Sequence, residues 1–488
     1  MLTADEKWSV PRIAQLDTSI VDPAEDSMDL SQSATPTEVA DSDNEIVPPP
    51  ISGEPASQVQ TIDLASALGM AGANAWTIQL ARQRTVEAHA DLSAAKAMWL
   101  PSLQFGVGWN KHDGRLQETV GNVLETSRGS LFVGGGATLG SPLAGGSNGP
   151  LRLFADLALA DAFFGPKIAS RQLYARRAGI SVARNKALRD AGLAYADLLE
   201  STGQVADAQA AIDAAEQLLN LTRTFAEAGA GAQADVDRAA TAHASLIQQL
   251  KDAERLMRSR SANLARRLRL DPRFALHPAD AFVMPIDLAP EVSDVDSLIA
   301  MARAGRPEVS ELSQEIAGLC EAVRKAKVEP WIPYVGVTTS AGNFGGGTGS
   351  NIDNDGGRSD VDLQAIWEIE NLGYGVAAKR SRAGSQLSQR RTQLADLRDQ
   401  IAADVVQAYE DVANYRSQID LTSEVLALAE SSFQRNLDRI RADEGLPIEL
   451  QQAIMAKANG LRARTAAVAN YNRAQLRLMY ATGQLRHQ

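Results

Sequence analysis

The residue types that most often carry chemistry are few in this chain, and they do not converge in sequence. Its histidines are His89, His112, His243, His277 and His487, and no two stand at the helical spacing that would put two imidazoles on one face for zinc. The glycine-rich stretches 134–149 and 342–349 lack the Gly-Lys-Ser/Thr ending of a phosphate-cradling loop, and read as flexible loops. The single cysteine, Cys320, excludes an intramolecular disulfide framework and a thiolate metal cluster, and reads as a small buried hydrophobe. No spacing marks a nucleophile beside a base or a working pair of acids. No catalytic residue, metal or cofactor is therefore expected.

The 488 residues, 44% hydrophobic and 22% charged, suffice for a folded core of up to a few domains. A net charge of −12 argues against nucleic acid or an anionic membrane surface as the main partner. That charge is concentrated: residues 1–60 hold twelve acids against Lys7 and Arg12, end in Pro48, Pro49 and Pro50, and lack apolar periodicity, so they read as a disordered acidic leader. No apolar run is long enough for a transmembrane helix, and the first residues show no basic, apolar and small-residue signal pattern.

From Thr61 onward the dominant signal is long helix. Val405, Val412, Ile419, Leu426, Phe433 and Ile440 recur every seven residues, and a second row, Leu387, Leu394, Ile401, Ala408 and Tyr415, runs four residues out of step with it. Two such rows make a coiled-coil seam. Leu198, Val205, Ile212 and Leu219 repeat the spacing earlier in the chain. Each long helix is followed by a short break, Ala228-Gly229-Ala230-Gly231-Ala232 or Asp443-Glu444-Gly445-Leu446-Pro447, and then by a returning helix. Glycine closes a helix and proline opens one, so both breaks read as tips of antiparallel helical hairpins.

Four stretches instead alternate with period two. Leu103, Phe105, Val107 and Trp109 form the first apolar row; Leu153, Ala155, Leu157 and Leu159 the second; Val335, Val337 and Thr339 the third; Val361, Leu363, Ala365, Trp367 and Ile369 the fourth. One face is apolar, the other largely polar or small, and the length suits a tilted strand crossing a bilayer. The order also repeats. The first repeat, 61–290, reads as helix, strands 101–112 and 150–161, long helix 166–228, returning helix 233–268 and irregular linker 271–290. The second, 291–488, reads as helix, strands 333–343 and 361–371, long helix 376–442 and returning helix 448–480. Trp99-Leu100-Pro101 and Trp331-Ile332-Pro333 lead into corresponding strands of the two halves. Four membrane-length strands cannot close a barrel alone, and lipid tolerates no unpaired strand edge, so several chains must share one barrel around a water-filled pore.

The duplicated order, the two Trp-x-Pro entries, Phe163-Phe164-Gly165-Pro166 and the C-terminal Tyr471-Asn472-Arg473-Ala474-Gln475-Leu476-Arg477-Leu478 with Gly483 resemble the TolC-like outer membrane efflux proteins over about residues 60–485. The resemblance implies a mostly α fold with β structure: a coiled-coil α-helical barrel in the periplasm and a transmembrane β-barrel in the outer membrane, four strands from each chain of a homotrimer. It further implies an exit duct for efflux or type I secretion, in contact with outer-membrane lipid, a periplasmic adaptor (membrane fusion) protein and an inner-membrane transporter. The runner-up is a non-conducting coiled-coil envelope scaffold or adaptor-like protein, whose apolar strand faces would pack on each other.

Within that frame the tips Gly229, Gly231, Gly445, Leu446 and Pro447 are expected to meet the adaptor; the plainer account is that they only turn the chain. The acids Glu449 and Asp235, and more weakly Asp438 and Asp443, are expected to narrow and charge the periplasmic entrance, where three-fold symmetry would gather copies of each. The plainer account makes them ordinary helix N-terminal acids. Trp99, Trp109, Trp331 and Trp367 fit aromatic residues at the membrane interfaces.

Overall fold

The computed structural model describes residues 59–139, 141–143, 154–281, 284–288, 294–442 and 444–485. The acidic leader expected over 1–60 lies outside the described residues except for Val59 and Gln60. These two open a short strand, β1 (Val59–Ile62), followed by α1 (Leu64–Asn74) and α2 (Trp76–Ala97). The strands β2 (Pro101–Gln117), β3 (Val123–Leu139), β4 (Ser141–Leu143) and β5 (Phe154–Ala158) lead into α3 (Leu159–Glu227), which returns as α4 (Gln233–Leu268). After β6 (Ala275–Pro278) come α5 (Val295–Gly305), α6 (Pro307–Val328), β7 (Tyr334–Thr348), β8 (Asn354–Ile366), α7 (Tyr374–Arg441) and α8 (Pro447–Ala481).

The two long helices have 69 and 68 residues, so each is about 100 Å long at 1.5 Å per residue. Part of each heptad row is buried and the rest is half-buried. Ile401, Val405, Ala408, Phe433 and Ile440 are buried on α7, and Leu198, Ile212 and Leu219 on α3. Near the turns one apolar cluster joins both hairpins, with Leu218 and Leu219 of α3, Val236 of α4, Phe433 of α7 and Leu450 of α8 in contact. A polar contact in the same bundle is Thr465 of α8, whose hydroxyl donates to the buried Asp207 of α3 at 2.7 Å. At the other end of α1, Asp63 caps the helix by accepting from the Ser66 amide at 2.7 Å.

The strands form one antiparallel ladder in the order β2-β3-β7-β8, with the end of β5 beside the start of β7 through Leu157 opposite Val335. A separate ribbon pairs β1 with β6 in parallel, Val59 opposite Ala275.

Several boundaries differ from those expected. The second strand lies at β3, which runs into the glycine-rich stretch 134–149 read as loop; Phe132 between Leu131 and Val133, and the small residues Gly134–Ala137 after them, break the period-two signal. The segment 150–161 is not one strand: Phe154–Ala158 is extended, α3 begins at Leu159, and 150–153 lie outside the described residues. Starting α3 there puts Pro166 inside the helix. Proline deprives the carbonyl four residues earlier of its donor; that carbonyl, of Ala162, accepts from the Trp99 indole N–H at 3.1 Å. The strand expected over 361–371 stops at Ile366, so Trp367 and Ile369 follow it, and Asn371, Leu372 and Gly373 take left-handed φ values before α7. The linker expected to be irregular contains β6. Cys320, expected buried, is half-buried.

Candidate functional site

Strand register decides how the alternating residues are used. Leu103 stands opposite Ala137, Phe105 opposite Gly135, Val107 opposite Val133 and Trp109 opposite Leu131. The same line continues through Ala137 opposite Thr339 and Leu139 opposite Val337, then through Val337 opposite Leu363 and Thr339 opposite Val361. Opposed residues share a face of a sheet, so the first, third and fourth apolar rows and that of β3 lie on one side. That side is bare: Phe105 is 83% exposed, Leu363 77% and Leu103 67%. These rows do not pack on one another or on a second sheet. The other side carries Ser102, Thr138, Thr338 and Asp362 in register, and at its middle Phe132 opposite Phe344. The Phe132 ring covers the close-set Gly134 and Gly342, where any β-carbon would come within 2.9 Å of it.

The bare face has two ends. Past Trp109 the outward residues of β2 become Lys111, Asp113 and Arg115, and Lys111 pairs with Asp113 at 3.0 Å. At the helical end stand Trp99, between α2 and β2, Trp331, three residues before β7, and Trp367, just past β8. All four tryptophans are exposed. The outer edges of β2 and β8 have no strand partner among the described residues.

At the far end of the helices, both turns close with one hydrogen bond in the same place: the Ala230 amide donates to Phe225 O at 2.9 Å, and the Glu444 amide to Arg439 O at 2.8 Å. Gly229 has the left-handed φ of 76° that a helix-ending glycine permits. Gly231 and Gly445 are favoured for a different reason. A β-carbon at Gly445 would meet the Ile440 amide nitrogen at 3.0 Å, and one at Gly231 the Ala226 nitrogen at 3.1 Å. Leu446 is exposed beside Pro447, which occupies the first turn of α8.

Three of the four acids expected at the entrance have partners. Glu449 lies 2.9 Å from Arg439, Asp235 2.8 Å from Arg238, and Asp438 3.8 Å from Arg441; Asp443 lies outside the described residues. The two i,i+3 pairs are visible as spacing in the sequence. The Arg439–Glu449 pair is not, because it spans the turn.

Among the described residues no helix is long and apolar enough to cross a membrane, and no group of three His, Cys, Asp or Glu side chains is placed to hold a metal ion.

No protein-family model matches the chain, and no curated protein matches it by sequence. Solved structures do. The CmeC outer membrane channel of Campylobacter jejuni matches with a TM-score of 0.71 at 12% identity, over 86% of this chain and 85% of that one. The fold is that of the TolC-like outer-membrane channels. The outer membrane protein VceC of Vibrio cholerae, with a TM-score of 0.66 at 15% identity over 86% of this chain and 96% of its own, shares the TolC-like fold. So does the MtrE outer membrane channel of Neisseria gonorrhoeae, solved in an open state, at 0.64 and 16% over 87% and 90%.

Proposed function

We propose that the chain is one third of an outer-membrane duct: a homotrimer whose twelve strands close a barrel and whose helices continue as a periplasmic tunnel, the exit of an efflux or type I secretion system. The observation that carries this reading is the sheet, with large apolar residues bare on one face, polar and small residues around the Phe132–Phe344 pair on the other, and both outer edges unpaired among the described residues. Water would penalise the bare face and lipid would penalise the open edges. A bilayer around a barrel closed by further copies satisfies both. A non-conducting scaffold would need the apolar rows packed together, and among the described residues Leu103, Phe105, Val107, Val361 and Leu363 are left uncovered.

In this reading Trp109 marks the external membrane boundary and Trp99, Trp331 and Trp367 the periplasmic one. The turns at Gly229, Gly231, Gly445, Leu446 and Pro447 face the adaptor, beyond which the inner-membrane transporter loads the duct. Asp235, Asp438 and Glu449 edge the entrance, each with its charge offset by an arginine. The test is electron microscopy of the full-length protein extracted in mild detergent. Three-fold particles with a detergent belt at one end and a hollow stem are expected; solid rods recovered without detergent would overturn the reading.

A further inference from the structure

At the helical end of the bare face, apolar, aromatic and cationic groups follow one another on two neighbouring arms. One arm runs down from Leu103 through Leu100 and Trp99 to Lys96 in the last turn of α2. The other runs from β5 into the first turns of α3, through Phe163 to Lys167. The arms touch: the Trp99 indole donates to Ala162 O, and a β-carbon at Gly165 would lie 3.9 Å from that of Ala95. The Lys167 ammonium sits 4.1 Å from the centre of the Phe163 ring. Leu100, Trp99 and Phe163 are exposed.

The lysines at this end differ in their partners, and Lys327 in the last turn of α6 is exposed without a carboxylate partner among the described residues. Lys325 nearby is paired with Asp161, and Lys379 with Glu370 at 2.6 Å. Lys96 and Lys167 have no carboxylate partner among the described residues, and both are exposed. Two unneutralised ammonium groups, one helical turn below exposed aromatic rings, suit an amphiphile whose chains lie along the rings and whose anion meets the amines.

We propose that Lys96, Trp99, Phe163 and Lys167 form a binding site for an anionic phospholipid headgroup at the periplasmic boundary of the barrel. This rests on the reading of the sheet as a membrane wall. The phosphodiester accepts from Lys167 and Lys96, while Trp99 and Phe163 hold the glycerol and upper acyl region.

The test is native mass spectrometry of the full chain, delipidated in detergent and titrated with phosphatidylglycerol or phosphatidylcholine. Wild type is expected to retain phosphatidylglycerol preferentially. Each Lys→Gln change should lower that preference about fivefold, and Lys96→Gln with Lys167→Gln roughly 30-fold. Phosphatidylcholine retention and helical circular dichroism should not change, and Lys167→Arg should keep the preference. Equal retention of both lipids by wild type, or an undiminished preference in the double variant, would overturn the site while leaving the membrane wall intact. Competition by inorganic phosphate at the concentration of the lipid would also overturn it, as a site for free phosphate. A protein that stays dispersed without detergent and retains no lipid would overturn the site together with the duct.

Discussion

At the scale of the residue, each charge near the helical turns has to be weighed with its partner. A carboxylate ring would favour cations, but Glu449 is bridged to Arg439 at 2.9 Å. Removing one member therefore exposes the other. Glu449→Gln is expected to do more than delete a negative charge: it frees Arg439, and single-channel reversal potentials should move toward the anion. Arg439→Gln should move them toward the cation. Unchanged selectivity in both would make the pair a device of the turn alone. Deeper in the bundle, burial raises the pKa of the Asp207 carboxyl, an effect that the Thr465 hydroxyl and Arg462 and Arg464 only partly offset. A carboxyl with its folded pKa raised binds more protons folded than unfolded. Its stabilising protonation is complete below the unfolded value and is lost as pH rises through the folded one. Asp207→Asn, which still accepts from Thr465, should raise the melting temperature by a few degrees at pH 7. That gain should shrink as pH falls toward about 4, the ordinary aspartate range. Calorimetry across that range reads the difference.

At the scale of the element, the faces of the sheet assign opposite fates to similar changes. Val107 lies on the bare face, 68% exposed, and Val107→Arg should cost about 2–4 kcal/mol if it faces the middle of the hydrocarbon. Ser340 is on the other face, opposite Asp360 of β8, and Ser340→Arg should alter conductance with little loss of stability. Thermal unfolding of the two variants in detergent compares them; equal destabilisation would count against a lumenal face. The sequence made β2 legible because four large apolar residues alternate there without a gap. It hid β3, where Gly135 and Ala137 hold the outward positions, and it suggested a strand over residues that start α3, since Leu157 and Leu159 continue an alternation across the junction. The helices were legible nearly to their ends because a heptad row survives many substitutions. Of the turn residues, glycine type could be read directly, but not its cause. Gly229 is favoured by its backbone angle, Gly445 by its closeness to Ile440. The arginine that faces Glu449 needed the turn itself to bring it near.

At the scale of the whole molecule, the bare face and the edges left unpaired among the described residues pose one problem, which the proposed assembly would solve. Burying the outer edge of β2 against the outer edge of β8 of another copy closes the ladder, since edges of one sheet reached in a constant rotational sense join head to tail into a ring. In the proposed trimer, three copies of four strands would give a wall of twelve, and the same rotation would set the helical hairpins side by side beneath it. The parallel ribbon of β1 and β6 adds something of another kind, a constraint on the order of folding. Val59 finds its partner at Ala275, after the whole of the first sheet hairpin and both arms of the first helical hairpin. Local helix can form as the chain emerges, but the opening strand must wait, edge exposed, until more than two hundred further residues have arrived. The first segment described is thus among the last of the first repeat to be fixed, and it serves as a latch on a repeat already built.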